Sequence, residues 1–501
     1  METYSTNLSR PSNRSKSRGP KSHKIIFAIL FILTVTGTIF LLIKVMKKEI
    51  VIVPGTITYD DSLQDSEKAF LESALKDFRA PEDITISAST DLEPPSETSL
   101  LYDYYVPVVD FYDNIYNITS EDAEKYQFIP VSDLTPEKRL ISLDGHYFFD
   151  DYTTGTMYRT LHFSSKDPSI IISKIKETLK PPLDRASVLS LNQTGVTALT
   201  RAMLNTLNSV GDGAYFAEKV SDFLKSSDLT HTSNEVSFAS NCTNSASMTL
   251  CSDPRMFSAL TAIGTDIVEL TGNHNNDWGT SANLDTLKLY SENNIKTFGG
   301  GKNEEDAATP LELSEKGNNI TWIGINYSTS SKENGQGATE NSPGANIYDA
   351  ALTKTQIEEA KKQGNFVIVD IQFSECYSYP DEGAEMPECD YPISGQQAFF
   401  RQMIDEGADL VVGTQAHQPQ TFEIYKGKPI YYGLGNLFFD QVYWPGTERS
   451  LILTHYFKDG NLLQTRITPT MYDRTYQPKI LDTSESTAFL NRLISASPHG
   501  N

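Results

Sequence analysis

The residues best suited to chemistry in this 501-residue chain gather in a few short polar segments. The densest is Leu270-Thr-Gly-Asn-His-Asn-Asn-Asp277-Trp-Gly279, which packs an amide (Asn273), an imidazole (His274) and a carboxylate (Asp277) into five positions. Amide and carboxylate oxygens can hold a divalent cation, and a histidine can ligate one or act as a general acid. A second imidazole, His417, stands in Gly413-Thr-Gln-Ala-His417-Gln-Pro-Gln420, where a purely structural histidine is the alternative. Tyr431-Tyr-Gly-Leu-Gly-Asn436-Leu-Phe-Phe-Asp440-Gln441 adds Asn436 and Asp440. Ser233-Asn234-Glu235 and Gln372-Phe-Ser-Glu375-Cys376 each add a carboxylate, Glu235 and Glu375. Phe298-Gly-Gly-Gly301 is a weak phosphate-loop candidate and reads better as a plain loop.

These segments need elements to position them. From about residue 186 the sequence repeats helix, glycine, strand and polar loop. Asp253-Pro254 opens a helix ending at Gly264, before a strand over 266–270; Thr353 caps a helix ending at Gly364, before a strand over 366–371. Residues 396–406 form a helix closed by Gly407, with a strand over 410–412. Glycine just past a helix suits the left-handed C′ position. Apolar strands alternating with helices predict βα units, whose binding groups collect at the strands' C-terminal ends. Residues 50–180 read as a smaller α+β module without a catalytic constellation. There Asp65 and Ser66 cap a helix carrying Phe70, Leu71, Ala74, Leu75 and Phe78. Ile84, Ile86 and Ala88 alternate as in a strand, 102–116 is aromatic-rich and strand-like, and Lys180-Pro181-Pro182 marks a linker.

Ahead of all this lies a basic segment. Residues 1–24 predict a disordered cytoplasmic tail, and 25–43 form nineteen uncharged, largely apolar positions, enough to span a bilayer as a helix. Six basic residues precede that span and three follow it, which orients the N-terminus to the cytoplasm and the rest outside as a single-pass signal anchor. A cleaved signal peptide fits less well, because its apolar run is roughly 7–15 residues and ends in a small-residue site. Residues 1–48 carry a net +8 and the remainder −31, an acidic body that argues against nucleic acid as a partner. Four cysteines in two close pairs, Cys242/Cys251 and Cys376/Cys389, predict two local disulfides outside the cell. Residues 481–501 read as a C-terminal tail.

Taken together, LTGNHNNDWG (270–279), GADLVVGTQAHQPQTFE (407–423) and GKPIYYGLGNLFFDQ (427–441) resemble the CapA family. These are capsule (poly-γ-glutamate) biosynthesis proteins related to calcineurin-like metallophosphatases. TGVTALTR (194–201) and NEEDAATP (303–310) are also similar, so the resemblance covers about 186–480. It implies a four-layer α/β/β/α metallophosphatase-like domain and a role in capsule or exopolymer production. It also implies His274, Arg201 and Asp277 as catalytic groups, Glu235, Asn273 and His417 as metal ligands, and Glu375, Asn436 and Asp440 as substrate contacts. The chain departs from the family where it matters chemically. Val196 stands where a metal-binding aspartate is usual, Gln415 replaces the first imidazole of Gly-His-x-His, and Ile371-Gln372 lies where another histidine belongs. A two-metal hydrolytic site holds its ions about 3.5–4 Å apart with several carboxylate and imidazole ligands. The residues kept here provide for one divalent ion at most.

Three functions follow as expectations. The first is a membrane-anchored surface protein that makes, exports or retains an anionic exopolymer, with that polymer or its synthesis and export machinery as partner. The second is a metal-dependent hydrolase of phosphoester or amide bonds. The third is a catalytically inactive binding scaffold on the same fold.

Overall fold

The computed structural model describes residues 54–244, 248–376 and 387–498. The basic tail (1–24) and the apolar span (25–43) lie outside the described residues, among which no helix is long and apolar enough to cross a membrane.

The first module is a six-stranded sheet with β1 (Ile57–Tyr59), β2 (Ile84–Asp91), β3 (Ser99–Asp110), β4 (Gln127–Pro130), β5 (Lys138–Leu140) and β6 (Met157–Phe163). Its order is β1-β2-β6-β3-β4, with β5 also paired to β3. Helices α1 (Asp65–Ala74) and α2 (Ser169–Lys176) bury Leu71, Leu75, Ile171 and Ile175 against Ile84, Ile86 and Leu161. The cap of α1 is Gln64, in a capping box with Glu67, rather than the expected Asp65 or Ser66. Glu67 also takes a bidentate ion pair from Arg159 on β6, at 2.8 and 2.7 Å, which ties the helix to the sheet's middle strand.

The second module begins with β7 (Leu189–Thr197), β8 (Leu229–Asn234), β9 (Ile267–Glu269) and β10 (Lys296–Phe298), parallel neighbours. Helices α3 (Ala202–Val210), α4 (Phe257–Ala262) and α5 (Thr280–Glu292) follow the first three of these strands. Next come β11 (Leu311–Glu315), β12 (Asn318–Asn326), α6 (Ala350–Lys362), β13 (Phe366–Gln372), α7 (Gln396–Glu406) and β14 (Leu410–Thr414). The chain finishes with β15 (Phe422–Tyr425), β16 (Lys428–Tyr431), β17 (Asn436–Phe438), β18 (Arg449–Lys458), β19 (Asn461–Met471), β20 (Lys479–Ile480) and α8 (Thr483–Ser495).

These strands make two sheets. One is β10-β9-β8-β7-β18-β19-β20 with β17 on β7, and the other is β11-β12-β13-β14-β16-β15. Leu189, Leu191, Ile267, Trp322, Ile368, Val412 and Leu453 from both sheets share one buried cluster. Met203, Leu207, Leu260 and Tyr290 cover the outer face of the first sheet, and Ile357, Phe400 and Met403 that of the second. The fold is therefore mixed α/β, with helices outside two stacked sheets. Strands β13 and β14 of the second sheet read as largely apolar runs because both their faces are covered.

Gly264, Gly364 and Gly407 close their helices at positive φ, as their positions predict. The cap of α6 is Asp349 and not Thr353, which is buried one turn inside the helix. The expected tail over 481–501 is replaced by α8, opened by a capping box from Asp482 and Glu485. Its Phe489, Leu490, Leu493 and Ile494 lie along one face and complete the inter-sheet core.

Candidate functional site

The polar segments singled out by sequence lie at the C-terminal ends of strands from both sheets. Arg201 follows β7, Glu235 follows β8, and Asn273, His274 and Asp277 follow β9. On the second sheet, Glu375 follows β13, while Gln415 and His417 follow β14. Their convergence needs close backbone approach. A Cβ on Gly272 would stand 2.4 Å from the Cα of Glu235, so only glycine lets the two loops touch there.

Asn273, His274, Asp277, Gln372, Glu375 and Gln415 line a cleft of 430 Å³, closed on its other side by Ser328, Ser330, Ser331, Asn334 and Gln336. A larger hollow of 1030 Å³ lies where the modules meet, away from these groups. Within the cleft, His274 Nδ1 is 2.6 Å from Asp277 Oδ2. Asp277 also accepts from the Leu250 amide (2.8 Å) and from Gln336 Nε2 (2.8 Å), so its carboxylate is fixed from three sides. Burial works against a charged His274, but the Asp277 hydrogen bond and the nearby Glu235, Asp277 and Glu375 charges outweigh it. They hold its pKa above the ordinary imidazole value.

Glu235 is 2% exposed, and its Oε1 has no hydrogen-bond partner. Burial raises its pKa, opposed by the neighbouring His417, His274 and Arg201. Arg201 is engaged elsewhere. Its Nε donates to Asp440 at 3.0 Å, and Asp440 also accepts from the Ala202 amide at 3.1 Å. Asn436 is wholly buried, sits 2.9 Å from His417 Nδ1 and donates to Gln441 and to the Thr447 carbonyl. Asn436 and Asp440, expected as substrate contacts, thus hydrogen-bond to His417 and Arg201. Two non-glycine residues of the site, Arg201 (φ 47°) and Gln415 (φ 77°), hold left-handed backbone, the kind of local strain that collects at functional sites.

These donors do not fit a two-metal centre. Val196, in the place of the family's aspartate, is 1% exposed within an apolar cluster of Ala198, Val236, Leu250 and Phe439. Gln415, which stands in place of an imidazole, bonds to Gln372 nearby, Gln372 Nε2 donating to Gln415 Oε1 at 2.6 Å. Gln372 also donates to Asn273 Oδ1 at 2.9 Å, and Gln415 to Glu375 Oε1 at 3.2 Å. An amide network thus occupies the Asn273 oxygen, one of the three expected metal ligands. Among the described residues, no three His, Cys, Asp or Glu side chains stand close enough to share an ion. What the site offers is an imidazole, carboxylates, amides and hydroxyls around a narrow cleft.

Sequence motifs did not flag Gln336 or Ser328, Ser330 and Ser331, since they lie in a loop with no motif of its own. Nor did they flag a buried polar layer between the sheets. There Gln193 Nε2 donates to Asp370 Oδ1 (2.8 Å), and His455 Nε2 lies 3.2 Å from Gln193 Oε1. His231 Nε2 stands 3.0 Å from Asp370 Oδ2, at an angle that makes no hydrogen bond, and Glu269 is wholly buried with its Oε2 unpartnered. Both disulfides expected from sequence are present, Cys242–Cys251 and Cys376–Cys389.

Comparison with known proteins gives a family model, described as bacterial capsule synthesis protein PGA_cap, that matches residues 190–441. The capsule biosynthesis protein CapA of Bacillus anthracis is 29% identical over 215 residues, 42% of this chain and 49% of that protein. The PGA biosynthesis protein CapA of Bacillus subtilis (strain 168) is 27% identical over 232 residues, 46% and 57% of the two chains. The chain thus spans about half the length of the curated relatives it matches. Among solved structures, the NAD nucleotidase of Haemophilus influenzae aligns over 63% of both chains at 11% identity with a TM-score of 0.31, at which no shared fold is inferred.

Proposed function

The chain belongs to the bacterial capsule synthesis protein PGA_cap family, and from that membership we propose that it acts at the cell surface in the synthesis, export or retention of an anionic exopolymer of the poly-γ-glutamate type. Residues 25–43 would anchor it in the membrane, with the acidic body outside and the polymer or its synthesis and export machinery as partner. The observation that carries this reading is the match over 190–441 coinciding with the strand-end cleft that holds His274, Asp277 and Glu375. Across a body of net charge −31, polymer binding needs cations or a local basic group, and His274, Gln336 and the serines of the cleft provide its donors.

In this reading the cleft binds polymer and does not hydrolyse it through a metal pair. Val196 and the Gln372–Gln415 amide pair support that, since they fill positions where ligands would stand. The second reading, a hydrolase on one divalent ion, is favoured by the unpartnered Oε1 of Glu235 beside His417. Two measurements test these readings. Deleting the gene is expected to strip most surface polymer, with wild-type complementation restoring it and His274→Ala/Glu375→Ala failing to. Unchanged polymer amount and length in the deletion strain would remove the proposed role. Metal content of the purified full chain is expected to be well below one equivalent. One equivalent, lost in Asn273→Ala/His417→Ala, would shift the choice to the hydrolase.

A further inference from the structure

A further pocket, of 370 Å³, lies where the first module meets β19 and α8. Its most unusual feature is Arg139 on β5, a 9% exposed guanidinium with no carboxylate within ion-pair distance among the described residues. Arg139 lies 4.3 Å over the Tyr116 ring, and its Nη2 donates to the Asp113 carbonyl. Its Nε is buried without a hydrogen-bond partner. A second orphan, the Oγ1 of Thr468, lines the same pocket. A buried guanidinium on which the nearest carboxylate, Asp113, acts only through space is costly, and a carboxylate bound in the pocket would supply a direct partner.

The walls narrow the choice of ligand. Leu140, Phe422, Leu490 and Ile494 make an apolar floor, and Arg466, already paired to Asp150 at 2.8 Å, adds a second guanidinium at the rim. A planar guanidinium matches a carboxylate in two-point geometry, and an apolar floor accommodates an aliphatic stem better than a hydrated inorganic anion. The volume lies in the range of small-ligand sites and admits a short length of chain.

We propose that this pocket, completed by Arg139 from the first module, is a second binding site that takes a carboxylate on an aliphatic chain, a glutamyl unit of the exopolymer. The proposal rests on the polymer reading above and gives residues 54–180 a task within it. Titrating the purified full chain in mild detergent with a γ-linked glutamate pentamer, with inorganic phosphate as a control, tests it. Arg139→Gln and Thr487→Trp are each expected to weaken pentamer binding about tenfold or more, with phosphate failing to compete. Thr487 sits on the half-exposed face of α8 at the pocket wall, so its indole fills the hollow without touching the buried guanidinium. If Arg139→Gln fails to fold, Thr487→Trp decides alone. Full pentamer affinity in Thr487→Trp overturns the pocket while leaving polymer binding, and so the functional reading, in place. No pentamer binding by the wild type, or binding of phosphate in its stead, overturns the pocket too, and the gene deletion then judges the functional reading separately.

Discussion

Glu269 is the residue whose setting most clearly links the site to stability. It ends β9, three residues before Gly272, and lies wholly buried between the sheets. Burial, with the Asp370 and Glu235 charges adding, pushes its carboxyl up to about 8 from the usual 4.5. A carboxyl whose folded pKa is raised contributes stability that is full below 4.5 and is lost as pH rises through 8. His455 works in the opposite sense. Burial and the neighbouring His231 drive it down to about 3, so its contribution is present above 6.5 and lost as pH falls. Between pH 6.5 and 8, therefore, Glu269 is the one of the two that acts. Urea unfolding of the wild type is expected to lose about 1–2 kcal/mol over that interval, and Glu269→Gln, a mimic of the neutral acid, to lose less. Parallel slopes in the two proteins would mean that the carboxyl is ionised in the fold.

At the scale of elements, the two disulfides do their work beside the cleft. Cys251 follows Leu250, whose amide fixes Asp277, and Cys376 follows Glu375 at the cleft's edge. Cys389 precedes Asp390, which pairs with Arg492 on α8 at 2.6 Å, so the second bridge ties Glu375 to the inter-sheet core. Closing a loop of thirteen residues by a disulfide adds about 3 kcal/mol in the chain-entropy account. Cys376→Ser/Cys389→Ser is expected to lower the unfolding free energy by that amount, and a reducing agent, which opens both bridges, to lower that of the wild type by at least as much. No change under reduction would show that the loop is held by Asp390–Arg492 alone. The sequence made much of this visible. Glycine after a helix marked Gly264, Gly364 and Gly407, and continuous apolar runs marked β13 and β14, because those signals are local. Strand β6 was not legible, since its central Arg159 and Thr160 look exposed and become buried only through Glu67, 92 residues away. Helix α8 escaped notice for a similar reason: its apolar stripe gains meaning only when two sheets stack to receive it. The site followed the same rule. His274 and Asp277 are three residues apart and could be read together. The Asn273–Gln372–Gln415 chain joins three distant loops, and the pairing of Arg201 with Asp440 spans 239 residues.

For the whole molecule, the question is whether the first module is a separate body or part of one core. Phe149 stacks on Tyr456 of β18 with ring centroids 4.1 Å apart, and Phe111 meets Phe422 edge-on at 5.6 Å. Tyr104, Tyr147, Phe148 and Tyr152 share a buried cluster with Val188, Tyr456 and Leu463 of the second module. Polar contacts run alongside, with Gln464 donating to the Lys138 carbonyl and Tyr116 to Asn491. Such an interface is made of interior-like aromatic packing, not the thin polar contact of loosely tethered domains. Removing a buried phenylalanine leaves a cavity worth about 3–5 kcal/mol, and here the cavity opens onto both modules. Phe149→Ala is therefore expected to lower one shared calorimetric transition while keeping it single. It is also expected to weaken the Arg139 pocket, whose two walls the same interface holds in register. A transition that splits in the variant, with the second module's half unmoved, would show instead that the modules fold as independent units and that the aromatic seam only docks them.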